Sequence, residues 1–180
     1  MAGPARALVG ALLIAALNTL GDFVWARWIT EHRPLYGLIH GASLCLGIGL
    51  YLGAIRGRPL RGALAGPAIG LAAAAGYYAL ATVMGYTAMF VLWMVLWAAF
   101  GLLDGRFLGE PRTSTAEALL RGVFAALGSG LGFYAISGIW TRHGPGPPNY
   151  AYNYFCWTVA LLPGFLALLA GRRGASPPRA

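Results

Sequence analysis

The chain has 180 residues, of which 58% are hydrophobic and only 10% charged, with a mean hydropathy of +0.65. A soluble domain carries about 25% charged residues, so this composition excludes one. The net charge of +8 comes from arginine alone, since lysine is absent, and the arginines fall between apolar runs. That distribution follows membrane topology, and no nucleic-acid partner is expected.

The expected class is an all-α, polytopic integral membrane protein with six transmembrane helices in three hairpins. One helical domain covers residues 1–170, and a short basic tail, 171–180, is expected to be disordered. Twenty-seven glycines accompany the apolar residues, and small residues let helices approach closely in lipid. A β-barrel would need alternating segments of about ten residues, and none are present.

The first apolar run covers about 7–28. It begins like a signal peptide, with Val24-Trp25-Ala26 as a cleavage-like triplet, but Asn18 and Asp22 interrupt the tract and retention is expected. Trp25 and Trp28 suit the headgroup level. The second run, about 35–55, holds Gly37-x3-Gly41 and Gly49-x3-Gly53, a spacing that favours close packing without naming a partner. The third, about 62–84, has Pro67 near its start and Tyr77-Tyr78 near its end. Gly85-Tyr86-Thr87 reads as a short turn.

The fourth run, about 88–103, is short for a hydrocarbon core about 30 Å thick. Residues 104–115 read as a mixed-charge loop, with Ser114 or Thr115 before Glu117 as a helix cap. The fifth run covers about 116–140 and carries Gly128, Gly130 and Gly132. Residues 141–152, rich in glycine and proline, read as an irregular connection. The sixth run covers about 153–170, with a kink expected at Pro163. Cys45 and Cys156 lie in apolar runs at different depths and read as small core residues, with no disulfide and no metal spacing.

Ten arginines fall on the side of the N-terminus, the second and fourth connections and the tail, against three on the other side. The positive-inside rule then places both termini in the cytoplasm of an inner (plasma) membrane. The bacterial case would open the first connection to the periplasm.

Residues 20–40 carry two of the five acids and two of the three histidines. Asp22 and His40 stand nine residues either side of Glu31, so an antiparallel hairpin puts them at equal depth, roughly 9 Å below its turn. Asn18 lies one turn below Asp22 on the same face. An ionisable group in a bilayer faces protein or water and has a partner. Two readings stand side by side: an Asp–His pair that handles a ligand or a proton, and a structural hydrogen bond that locks the hairpin.

The same topology gathers Asn18, Asp22, His40, Tyr77, Tyr78, Tyr134, Asn153, Tyr154 and Trp157 at one level as candidate ligand-binding residues. Glu31, His32 and His143 would rim the opening. Tyrosine suits an interface belt as well as a pocket. Asp22 and His40 are also the candidate catalytic residues, as an acid–base pair. No metal site is expected, because local ligand spacing is missing. No motif points to a cofactor, whose identity stays unknown.

Residues 20–34 align without gaps to 131–145, with Leu20, Gly21, Thr30, His32 and Pro34 matched by Leu131, Gly132, Thr141, His143 and Pro145. Phe133 stands where the first stretch has Asp22. Transporters often hold substrate between such repeats, and convergent helix ends would give the same matches. The function expected first is binding or transport of a small or lipid-like molecule through an outward-facing polar and aromatic pocket. The alternatives are a structural subunit of a larger membrane complex and a membrane-embedded enzyme acting on a lipid or isoprenoid. Expected partners are membrane lipid, the ligand, and a second copy or complex subunit.

Overall fold

The computed structural model describes residues 3–28, 33–109, 114–142 and 149–169. Among them every regular element is helical: α1 (Gly3–Trp28), α2 (Arg33–Ile55), α3 (Pro59–Met84), a 3-10 turn (Gly85–Thr87), α4 (Ala88–Leu102), a π-helical turn (Leu103–Leu108), α5 (Thr115–Arg142) and α6 (Tyr150–Leu169). Five stretches are long and apolar enough to cross a membrane: Gly3–Val24, Pro34–Ile55, Pro59–Leu108, Thr115–Ile136 and Tyr150–Leu169. The chain is a multi-pass helical membrane protein. The third and fourth expected spans lie within the single stretch Pro59–Leu108, because α3, the 3-10 turn, α4 and the π-helical turn follow one another without a non-helical break.

Sequence neighbours pack on one another, and α6 closes the ring against α1. The tightest seam joins α2 to α3. Gly41, Cys45, Gly49 and Gly53 recur every fourth residue on α2, and Gly62, Gly66 and Gly70 do so on α3. The two stripes meet backbone to backbone in antiparallel order. A Cβ at Gly53 would lie 2.7 Å from the Arg58 carbonyl oxygen, and one at Gly41 would lie 2.9 Å from that of Gly70. The α2 glycines thus find their partner inside the chain. Gly101 and Gly122 bring α4 onto α5 in the same way.

The seam between α1 and α2 is built differently. Tyr51 fills the hollow at Gly10, Ile14 fills that at Gly47, and His40 stands over Gly21. Large side chains set into glycine notches hold these helices further apart than the glycine stripes hold α2 and α3.

Helix ends follow local chemistry. Pro59 opens α3, where its missing N–H costs nothing. Gly85 closes it at φ +57, which a side chain would strain, and donates its N–H to Ala81 O. Leu92 of α4 then lies against Gly76 of α3. The Glu117 N–H donates to Ser114 Oγ at 3.1 Å, the expected cap of α5. Asn149 Oδ1 accepts from the Tyr152 N–H at 3.0 Å, so α6 begins at Tyr150. The loop expected over 141–152 is therefore shorter at both ends, with Thr141 and Arg142 in α5 and 150–152 in α6. Pro67 and Pro163 both sit inside continuous helices.

The loop expected from Asp104 also gives way to structure. Asp104 lies in the π-helical turn, 1% exposed, and its two oxygens accept from Arg56 Nε at 2.7 Å and Nη2 at 2.8 Å. Arg58 Nη1 donates to Phe107 O at 3.0 Å, satisfying a carbonyl that the end of the turn leaves open. These contacts tie the α2–α3 connection to the end of α4.

Candidate functional site

The opposite end of the bundle holds Asp22. Its position on α1 faces one stripe of α6, because Tyr150, Asn153 and Trp157 recur at i, i+3 and i+7 and share a helix face. Asn153 Nδ2 donates to Asp22 Oδ2 at 2.9 Å, and Trp157 Nε1 donates to the same oxygen at 2.7 Å. Phe23 meets Tyr150 edge to face, ring centroids 5.3 Å apart, and closes the seam one turn nearer the end.

The other carboxylate oxygen, Oδ1, looks toward α2. His40 Nδ1 is 4.0 Å away, beyond hydrogen-bond reach. Both side chains keep contact with the surroundings, Asp22 at 32% and His40 at 21% exposure. One oxygen is therefore fixed by two neutral donors, and the other lies beside an imidazole that it does not bond. Among the described residues, His40 is the basic group facing this carboxylate.

Aromatic rings surround the pair. Tyr36, one turn before His40 on α2, lies with its ring 5.8 Å from the imidazole. Trp157 flanks the imidazole at 5.9 Å. Behind Trp157 lies Trp93 at 6.1 Å, stacked on Phe133 at 4.9 Å. Trp93 Nε1 donates at 2.8 Å to Ser129 Oγ, which donates in turn to Ala160 O. This buried network fixes the wall on which Trp157 rests.

Asn18 is 4% exposed, and its Nδ2 has no hydrogen-bond partner among the described residues. Nearly all buried polar groups are paired with protein or water, so this donor is an exception to the rule. Thr19 Oγ1, next to it, is also buried without a partner among the described residues.

Of the candidate residues, Asp22, His40, Asn153 and Trp157 come together, with Asn18 one turn deeper. The Tyr78 hydroxyl packs on Gly37, and Tyr77 meets Tyr78 at 5.2 Å, so both border the α2 side. Tyr134 stands apart, 67% exposed against Phe90 at 5.1 Å. Tyr154 is half-buried against the core. Glu31, His32 and His143 lie outside the described residues. Phe133, which aligns with Asp22, is buried in the Trp93 wall. Tyr36 and Tyr150 are additions that helix spacing alone would have supplied, one turn from His40 and from Asn153. Among the described residues, no three His, Cys, Asp or Glu side chains converge as a metal site would require.

No protein-family model, no curated protein and no solved structure matches this chain.

Proposed function

We propose that this protein binds or transports a small or lipid-like molecule, held at the Asp22 end of the bundle. The observation that carries the reading is the Asn18 amide. Among the described residues it is a buried donor with no partner, one turn behind a carboxylate that keeps one oxygen free of protein hydrogen bonds. Leaving such a donor unsatisfied costs about 1–3 kcal/mol, a cost that a bound acceptor removes.

In this reading the chain makes six crossings in three hairpins within one domain, 1–170. The turn at Gly85 and the contact of Gly76 with Leu92 support two crossings within Pro59–Leu108. The arginines at 56, 58, 61, 106 and 121 lie at the end away from Asp22. That end faces the cytoplasm with both termini, and the ligand site opens outward, toward the periplasm in a bacterial inner membrane. Tyr36, Tyr78, His40 and Trp157 line it.

The structural-subunit alternative loses the α2 glycine stripe as a partner surface, since α3 already covers it. The enzyme alternative keeps Asp22 and His40 as its acid and base and gains no further catalytic group among the described residues.

The test is native mass spectrometry of protein purified in mild detergent, beside Asp22→Asn and His40→Ala. A defined bound mass, lost in both variants, is expected. A protein companion retained equally in all three would overturn the reading in favour of a complex subunit.

A further inference from the structure

We infer that the chemical group presented to Asp22 is a protonated or quaternary ammonium. The inference rests on the binding reading above and names its ligand class. The first ground is charge. Asp22 Oδ2 is held by an amide and an indole, both neutral, so these bonds orient the carboxylate without cancelling its charge. Among the described side chains, no arginine pairs with this carboxylate. The acid at the far end, Asp104, is matched at two points by Arg56, whereas among the described residues the basic group nearest Asp22 is an imidazole 4.0 Å from its other oxygen.

The second ground is the wall. A cation is attracted to the face of Trp, Tyr or Phe within about 6 Å of the ring centroid. Trp157 and Tyr36 flank the imidazole from α6 and α2, and Phe23 with Tyr150 closes the α1–α6 side. A carboxylate set among aromatic rings, with no arginine paired to it among the described side chains, matches an ammonium better than an anion or a neutral acceptor. The ammonium has two sources, an aminophospholipid headgroup or a free lipophilic amine, and both present the same chemistry.

The experiment uses the full chain in detergent, with benzyltrimethylammonium and its neutral carbon isostere neopentylbenzene as probes in equilibrium binding. The cation is expected to bind, and the isostere to bind about tenfold more weakly or worse. Asp22→Asn, which keeps an acceptor for Asn153 and Trp157, is expected to lose the preference, and Asp22→Glu to restore part of it. Equal binding of the two probes by the wild-type chain overturns the inference, whether or not the variants fold.

Native mass spectrometry after exchange into equal phosphatidylethanolamine and phosphatidylglycerol separates the sources. Phosphatidylethanolamine retained and displaced by the cation identifies a headgroup. The cation bound with neither lipid retained identifies a free amine. A neutral or anionic mass retained in an Asp22-dependent way would sink the ammonium and leave the binding reading standing. No mass dependent on Asp22 would sink both.

Discussion

Trp157 donates its indole N–H to Asp22 Oδ2 at 2.7 Å, joining residues 135 positions apart and fastening α6 to α1. That bond does two jobs. It holds the closing seam of the helix ring, and it points the remaining carboxylate oxygen toward α2. Trp157→Phe keeps a ring against His40 and Trp93 but removes the donor. A hydrogen bond to a charged group contributes about 1.5–3 kcal/mol, so this variant should lose stability of that order and unfold at a lower temperature. Thermal unfolding in mild detergent checks it, and an unchanged midpoint would mean that the seam holds without the bond.

Asp104 and Arg56 should behave as a structural pair. Removing one partner of a buried ion pair costs about 3–5 kcal/mol, while replacing both with apolar residues is often neutral. Asp104→Asn is therefore expected to lower stability strongly, and Arg56→Met with Asp104→Leu to recover most of the loss. Unfolding curves of the two variants, each read against wild type, decide the matter. Equal damage from the single and double changes would show that the pair does more than satisfy itself.

The glycine seam makes a sharper contrast. A side chain at Gly66 would strike the Cys45 backbone carbonyl, and backbone cannot move aside as a side chain can. Gly66→Leu should fail to accumulate as a monodisperse protein. Ala68, two residues on and exposed, should accept leucine with a change within about 0.5 kcal/mol. Size-exclusion profiles of the two variants give the answer directly.

Ser129 accepts from Trp93 and donates to the Ala160 carbonyl while fully buried. Ser129→Ala leaves the indole N–H without an acceptor, at a cost of about 1–3 kcal/mol. The loss should appear in thermal unfolding. Ligand retention should fall less than in Asp22→Asn, because Trp93 stands behind Trp157 and does not face the carboxylate.

Much of this was legible in the chain. Apolar runs gave the helices to within a few residues, and the spacing of Asp22 and His40 about Glu31 gave their proximity. Asn153 and Trp157 were placed at the same level by the alternation of helices and connections. What spacing could not supply was which helix Asp22 bonds. The α1–α2 connection suggested His40, but α6 supplies both hydrogen bonds, because ring closure is a property of the whole bundle. The burial of Asp104 was hidden for a related reason. Charged residues near a helix end read as a loop, and only the return of Arg56 from another connection lets an acid enter the core. The glycines at 62, 66 and 70 were visible, yet their match to 41, 49 and 53 depends on antiparallel register, which a single chain does not display.

The most direct test sets the two aspartates of the bundle against each other. Dicyclohexylcarbodiimide, an apolar reagent that attacks carboxyl groups from within a membrane, can be mapped by peptide mass after reaction with the folded protein. Asp22, 32% exposed with one oxygen open, should be modified well before Asp104, 1% exposed and held at both oxygens by Arg56. A ligand added beforehand should slow the reaction at Asp22 alone. An inert Asp22, or equal labelling of the two, would contradict a site held open for a ligand at that end of the bundle.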